Sequence, residues 1–361
     1  NQPIGNWDTS SVTNMSYMFS GASAFNQPIG NWDTSSVTNM SYMFQNAFNF
    51  NQNISTKIFN DRLAWDTSSV TDMNNMFRIT DNNSLNGDFN NGQSIDNPGE
   101  EGTNPLYWNT TNVQTMEFLF KAQRRFNQCV STNYITLTEG EKEESFWVWD
   151  TSNVKSMRRT FAYTENFNNG DVPGASNKPL YWDTSSVGTT NISKNMYYMF
   201  AKFNYLVNDE TQSDTYNQPM NTELVTIHDK TYTAWDVSNV TDMSLMFYNN
   251  KVFNQPIGNW VTSNVTSMIF MFYNNKVFNQ PIGDWDTSNV TDMGSMIRDA
   301  KDFNQPIGDW DTSNVTNMGS MFSNANAFNQ PIGNWDTSNV TNMSFMFDIA
   351  KDFNQPIGDW D

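Results

Sequence analysis

The residues able to carry covalent, acid–base or metal chemistry are few in this sequence, and most stand alone. The one His, His228, lies in Val225-Thr226-Ile227-His228-Asp229-Lys230 with no second His or Cys to share a metal ion, and it reads as a loop residue. The one Cys, Cys129, follows Arg124 and Arg125, cations able to lower a thiol pKa; the plainer alternative is a small buried side chain. A single Cys excludes an intramolecular disulfide. There is no paired-His motif, no Cys-x-x-Cys, no phosphate-cradling Gly-rich loop and no Gly-x-Ser-x-Gly. Catalysis is therefore not expected. The one catalytic arrangement left open is a carboxylate pair of the glycosidase kind, a carbohydrate-active enzyme built on acidic residues in the insertion loops.

Carboxylates and amides recur in fixed columns. An Asp follows almost every Trp: Asp8, Asp33, Asp66, Asp150, Asp183, Asp236, Asp286, Asp311, Asp336 and Asp361, with Asn109 and Val261 as departures. If the chain stacks these positions, the carboxylates line up and repel unless capped or bound to cations. Asp286, Asp311 and Asp336 are then the candidate Ca²⁺ ligands, and Ca²⁺ the only cofactor expected at all. The alternative is that each Asp bonds the Thr-Ser-Asn turn that follows it. Asn239, Asn264, Asn289, Asn314 and Asn339 each head an Asn-Val-Thr sequon, which makes them candidate glycosylation sites of a glycoprotein or, equally, turn residues copied by duplication.

What must position these columns is an internal repeat. Trp7, Trp32, Trp65, Trp108, Trp149, Trp182, Trp235, Trp260, Trp285, Trp310, Trp335 and Trp360 mark its phase, with a base period of 25 residues and longer intervals through the middle of the chain. After every Trp that leads a full repeat comes Val at offset five, followed in the regular repeats by Met at eight (delayed to Met196 in the sixth), Met-Phe at eleven and twelve, Phe at eighteen and Ile at twenty-two. One such unit cannot bury its large apolar side chains alone, but stacked units can. The pattern predicts a single repeat solenoid over 1–361. Ile-Gly-Asn-Trp-Asp-Thr reads as a short strand, giving short parallel strands on one face. Val-x-x-Met-x-x-Met-Phe reads as a short helical or 3-10 turn on the other. The Asn after the second Phe (Asn26, Asn51, Asn127, Asn254, Asn279, Asn304) is expected to form an amide ladder from repeat to repeat.

The motif Ile-x-x-Trp-x-Thr-Ser-x-Val-Thr-x-Met-x-x-Met-Phe resembles the BspA-like leucine-rich-repeat surface proteins. Within that group it is most similar to the 25-residue repeat family named after Mycoplasma lipoproteins, and the likeness covers the chain apart from its insertions. The resemblance implies a leucine-rich-repeat-like solenoid on a secreted or surface-attached protein, described as adhesive or uncharacterised and without catalytic residues to transfer, so that an adhesive or a structural role is expected. Trp here takes the place of the aliphatic residue more usual in leucine-rich repeats.

The additional length falls in insertions around 51–64, 78–107, 121–148, 162–181 and 188–234, expected along one edge of the stack. They hold Tyr107, Phe146, Trp147, Tyr181, Tyr205, Tyr216 and Tyr232, candidate contacts for a protein or glycan on a host or neighbouring cell. A formal charge of −19 argues against nucleic acid as a partner, and no apolar run is long enough to span a membrane. The chain opens at Asn1 without Met or signal peptide, so it reads as a mature product or fragment of an extracellular or cell-surface protein. Its first and last repeats carry no polar cap. Either the array continues, or one copy stacks end to end on another as a filament subunit.

Overall fold

Ile-Gly-Asn-Trp, Thr-Ser-Ser-Val and Met-x-x-Met each place side chains suited to the interior at both ends of a four-residue stretch. In the structure, a computed structural model describing residues 2–80, 87–93, 105–171, 175–190, 194–202 and 216–360, each stretch is a turn. The fourth N–H donates to the first carbonyl: Trp7 to Ile4 (3.1 Å), Val12 to Thr9 (2.9 Å), Met18 to Met15 (3.3 Å), Ala22 to Phe19 (3.0 Å) and Phe25 to Ala22 (2.9 Å). A repeat is thus a ring of consecutive turns with its apolar corners pointing inward. The N–H groups of the first and third residues of these turns donate to the next repeat: Met15 to Asn39 (2.9 Å), Tyr17 to Ser41 (3.1 Å), Phe19 to Met43 (2.9 Å) and Gly21 to Gln45 (2.7 Å). The same set recurs at the other end, from Met318 to Asn342 (2.8 Å) through Asn324 to Asp348 (2.7 Å).

This corrects the expected leucine-rich-repeat-like solenoid. Among the described residues there is no α-helix and no 3-10 helix, and every strand belongs to an antiparallel two-stranded hairpin. Parallel pairing occurs among the described residues only as single-residue bridges, such as Asn14 with Asn39, Asp242 with Ser267 and Asn317 with Asn342. The reasons are local. The turn between Ile and Trp removes the expected strand. The residue before the second Met has positive φ in repeat after repeat (Tyr17 60°, Tyr42 59°, Phe118 58°, Phe270 57°, Phe345 57°), and a helix cannot pass through that conformation.

Side chains complete the repeat-to-repeat bonding. Each indole N–H donates to a carbonyl one repeat back, as in Trp32 to Ile4 (3.0 Å), Trp149 to Leu106 (2.8 Å) and Trp335 to Ile307 (3.1 Å). Each Thr at offset two donates forward to the carbonyl after the next Trp, as in Thr9 to Asp33 (2.8 Å) and Thr312 to Asp336 (2.9 Å). The amide ladder is present: Asn279 Oδ1 accepts Asn304 N–H (2.9 Å) and Gln305 Nε2 (2.8 Å), and Asn304 does the same for Asn329 and Gln330. Inside, Phe rings pair within a repeat (Phe19–Phe25, 3.9 Å) and between repeats (Phe19–Phe44, 5.6 Å), and one apolar cluster includes residues from Ile4 to Met346. No helix among the described residues is long and apolar enough to cross a membrane.

Three insertions are hairpins: β1 (Lys57–Phe59) with β2 (Arg62–Ala64), β3 (Asn133–Glu139) with β4 (Lys142–Val148), and β5 (Glu223–Ile227) with β6 (Lys230–Ala234). Each ends just before a Trp, and Trp65, Trp149 and Trp235 alone among the described tryptophans have positive φ, 49°, 51° and 51°. Their N–H groups no longer close a local turn but donate to the preceding Trp carbonyl, Trp65 to Trp32 (2.9 Å), Trp149 to Trp108 (3.0 Å) and Trp235 to Trp182 (3.0 Å). A Thr hydroxyl clamps each hairpin base to the Trp carbonyl: Thr56 to Trp65 (2.6 Å), Thr132 to Trp149 (2.7 Å) and Thr222 to Trp235 (2.9 Å).

Asn279→Ala removes the acceptor for the Asn304 amide and the Gln305 side chain at a half-buried position. It is expected to lower unfolding free energy by about 1–3 kcal/mol, read as a lower urea midpoint with an unchanged m-value. An unaltered midpoint would show that the amide ladder contributes no stability.

Candidate functional site

The hairpins occupy alternate repeats, and β3–β4 lies between the other two. Residues opposite each other in an antiparallel pair share a face. One face of β3–β4 carries Ile135 with Phe146, partly buried against the core, and further out Glu139 with Lys142. Lys142 donates to the carbonyl of Asp61 in the β1–β2 turn, so this face meets the first hairpin. The other face carries Tyr134 opposite Trp147, and Thr136 opposite Ser145 with their hydroxyls bonded at 2.8 Å. Against it comes the third hairpin.

His228, at the β5–β6 turn with φ 52°, stacks on Tyr134 at 4.0 Å between centroids and meets Trp147 edge-on at 6.5 Å. Tyr134 and Trp147 contact edge-to-face at 5.4 Å. Lys230 holds its ammonium 4.6 Å from the Trp147 ring centroid and 2.5 Å from Asp150 Oδ2. The Asp150 side chain is 4% exposed, so its charge needs this partner; its other oxygen accepts Ser152 N–H at 3.1 Å. Tyr232 donates to the Tyr181 carbonyl (2.7 Å), and burial pushes its hydroxyl up to about 12. The result is a rim of three stacked hairpins bearing an aromatic and cationic cluster.

Of the aromatic candidates, Trp147 belongs to that cluster, Phe146 faces the core, and Tyr181 and Tyr232 form the base of the third hairpin. Tyr107 packs on the core one repeat before β3–β4, and its carbonyl accepts Thr56 N–H at 3.0 Å. Tyr216 is not a rim residue. It takes the place of the second Phe of its repeat, fully buried between Phe167 (5.7 Å) and Phe253 (6.4 Å). Tyr205 lies outside the described residues. Tyr134, His228 and Lys230 were not expected at a site. The period-two alternation of Tyr-Ile-Thr-Leu-Thr and Leu-Val-Thr-Ile was the signal for paired strands.

The Asp column bonds its own turns. Asp286, Asp311 and Asp336 are exposed, and one oxygen of each accepts both the N–H (3.0 Å) and the hydroxyl (2.6 Å) of Ser288, Ser313 and Ser338. Among the described residues no three His, Cys, Asp or Glu side chains gather as a metal site would require. These carboxylates do not fit Ca²⁺, which needs six to eight converging oxygens. The sequon amides are also engaged. Asn264, Asn289, Asn314 and Asn339 donate Nδ2 to Ser238, Ser263, Ser288 and Ser313 carbonyls one repeat back (2.6–2.7 Å), and half-buried Asn239 donates to Ser185 (3.0 Å). A glycan on any of them would have to share that nitrogen. Cys129 is an exposed free thiol.

A family model described as "Mycoplasma protein of unknown function, DUF285" matches the chain at residues 1–60, 55–146, 107–226, 218–325 and 281–361. No curated protein and no solved structure matches it. The match supports a Mycoplasma-type repeat protein; the likeness to BspA-like leucine-rich repeats is not supported, and the fold corrects it.

Two outcomes follow from the Asp turns. Melting curves with and without a chelator are expected to coincide, whereas a rise of several degrees on adding Ca²⁺ would show binding that the geometry does not provide. The Ser288 and Ser338 bonds hold Asp286 and Asp336 below the ordinary Asp value of 3.8. A lowered native pKa adds stability above the unfolded value that is lost as pH falls through the native one. The melting temperature is therefore expected to drop between about pH 5 and about pH 2, and a rise over that window would contradict the assignment.

Proposed function

Because the chain belongs to this family of Mycoplasma-type repeat proteins, we propose that it is a non-enzymatic binding protein of the cell surface or extracellular space. In this reading the stacked repeats are a structural support and the hairpin rim is the adhesive element, taking a protein or glycan on a host or neighbouring cell. The observation that carries it is the convergence of Tyr134, Trp147, His228 and Lys230 from two hairpins inserted two repeats apart. Insertions need not form such a surface to preserve the stack. Aromatic rings with cationic neighbours are the side chains that dominate recognition surfaces, and a scaffold that positions them on paired strands loses little order on binding. The carboxylates of the later repeats support the non-catalytic half of the reading, since Asp286, Asp311 and Asp336 are equivalent to one another and each is committed to its own turn.

The test uses the full chain on a printed glycan array and on cultured epithelial cells. The parent is expected to bind at least one of these. Trp147→Ala with Tyr134→Ala is expected to weaken that binding about ten-fold or more while leaving the melting temperature of the repeat stack near that of the parent. Binding by a folded double variant at parental strength, or a parent that binds neither surface, would overturn the reading.

A further inference from the structure

A second cluster lies on the Met-x-x-Met side of the repeat and takes no part in the rim. Arg78, Arg158 and Arg159 place their guanidinium carbons 4.6, 5.3 and 5.5 Å from the centroid of one ring, Phe118. Arg159 also lies over Tyr198 (4.7 Å) and Tyr197 (5.4 Å), and Lys194 over Tyr197 (4.7 Å). Beside them the largely buried Lys121 sits over Tyr163 at 5.3 Å. These cations come from four consecutive repeats, those led by Trp65, Trp108, Trp149 and Trp182.

Internal charge balance among the described residues does not account for their gathering. Among the described residues no carboxylate lies within 4.0 Å of the Arg78, Arg158 or Arg159 guanidinium, although the other described Arg side chains all have one. Arg78 donates to Asn75 (2.9 Å), but the Nε atoms of all three arginines are buried without a partner. The carboxylates nearby are already engaged. Glu117 accepts the Ser156 hydroxyl (2.7 Å), and Asp72 caps the N–H of Asn74 (2.8 Å). The mutual repulsion is visible at Lys121, lowered to about 8 by burial first and then by Arg78 and Arg159. Cation–π contact returns only about 0.5–1 kcal/mol per pair at exposed sites, so in a chain of net charge −19 the arrangement calls for an external anion. The half-buried arginines have their flat faces held by rings and their Nε atoms buried, so the terminal amino groups are the part available to oxyanions. An open groove of about 360 Å³, lined by Lys194, Tyr197, Tyr198, Asp242, Leu245 and Phe270 among others, continues from the cluster.

We propose that this Arg–aromatic stripe is a binding site for an acidic polysaccharide, its sulfate or carboxylate groups taken by Arg78, Arg158, Arg159 and Lys194 and its sugar rings laid on Tyr197 and Tyr198. The spread of charge over four repeats favours a chain over a single ion. A polysaccharide with charges spaced by sugar rings also suits this surface better than a nucleic acid. Duplex DNA brings one charge per about 1.7 Å of axis, and its phosphates would meet a chain of net charge −19. The site is separate from the hairpin rim, so the two readings stand or fall independently.

The test measures binding of the full chain to heparin, polygalacturonate, neutral dextran and a single-stranded oligonucleotide at low and at physiological salt. Heparin or polygalacturonate is expected to bind and dextran not. Arg158→Gln with Arg159→Gln is expected to weaken binding about ten-fold or more and to reduce the salt slope by about two. Lys194→Gln, an exposed change with no core contact, is expected to reduce the slope by about one and keeps the test open if the double variant misfolds. Trp147→Ala is expected to leave this binding unchanged. Binding to neither acidic polysaccharide, equal binding by folded Lys194 and Arg variants, or tighter binding to the oligonucleotide would overturn the proposal.

Discussion

The constraint on which this molecule depends is that half of each repeat's bonding is completed by its neighbour. A turn satisfies the N–H of its fourth residue and leaves those of its first and third pointing along the stack, where Met15, Tyr17, Phe19 and Gly21 find carbonyls of the next repeat. An unpaired buried N–H costs about as much as a lost hydrogen bond, so within the stack each ring depends on its neighbour to pair these groups. The side chains follow the same rule: the indole reaches back, the Thr hydroxyl reaches forward, and the Asn amide bridges the corner. This accounts for positions being copied so closely. A Trp changed in one repeat removes a packed ring there and a donor that satisfies a carbonyl in the repeat before.

The insertions obey that constraint too. Each described hairpin enters after the apolar residue whose carbonyl takes the next indole (Ile54, Val130, Met220) and leaves at the following Trp. The stack stays closed because Trp65, Trp149 and Trp235 turn to positive φ and bond the preceding Trp instead of their own turn. Between hairpin repeats stand repeats with Asn91 and Asn169, whose amides pair the N–H of Ile54 (2.9 Å) and Val130 (2.8 Å). The alternation has a geometric consequence. Two steps of a backbone-bonded stack, each about 4.8 Å, come to the distance of about 10 Å at which sheets pack face to face. Hairpins on successive repeats would be too close for side chains between them, and on every third too far for His228 to reach Tyr134.

Side-chain periodicity was therefore legible where backbone conformation was not. The Trp series and the Asn ladder follow from identical residues at equal spacing. A three-to-four spacing of Val, Met and Met, by contrast, suits a helical turn and a chain of tight turns equally. The distinction lies in φ at the residue before the second Met, occupied by Tyr17, Asn75, Phe118, Arg159, Leu245 and Ser320 in different repeats. None is Gly, so no residue type announces the left-handed conformation, and the helix was the natural expectation. At the rim, Tyr216 was misplaced because an insertion hid its phase; counted by its ring contacts it is simply the second Phe of its repeat. His228 read as solitary because its partner Tyr134 is two repeats away in space but far along the chain.

Charge separates the two surfaces more sharply than shape does. The Asp column is tolerable because its carboxylates accept the N–H of their own turn, and in the later repeats the Ser hydroxyl as well, so stacking copies adds repulsion screened by water. Cations are confined largely to the middle of the chain, and there they divide into two kinds. Lys142 and Lys230 tie one hairpin to the next or to a buried Asp, and their charge is consumed by the fold. Arg78, Arg158 and Arg159 are held by rings, and among the described residues no acid stands within 4.0 Å to answer their charge. A fold that needed only packing at those positions could use the aliphatic, hydroxyl and glycine side chains found there in the later repeats, such as Leu245, Ser320 and Gly319. The concentration of guanidinium at one stretch of an otherwise acidic stack is thus a feature the core does not require.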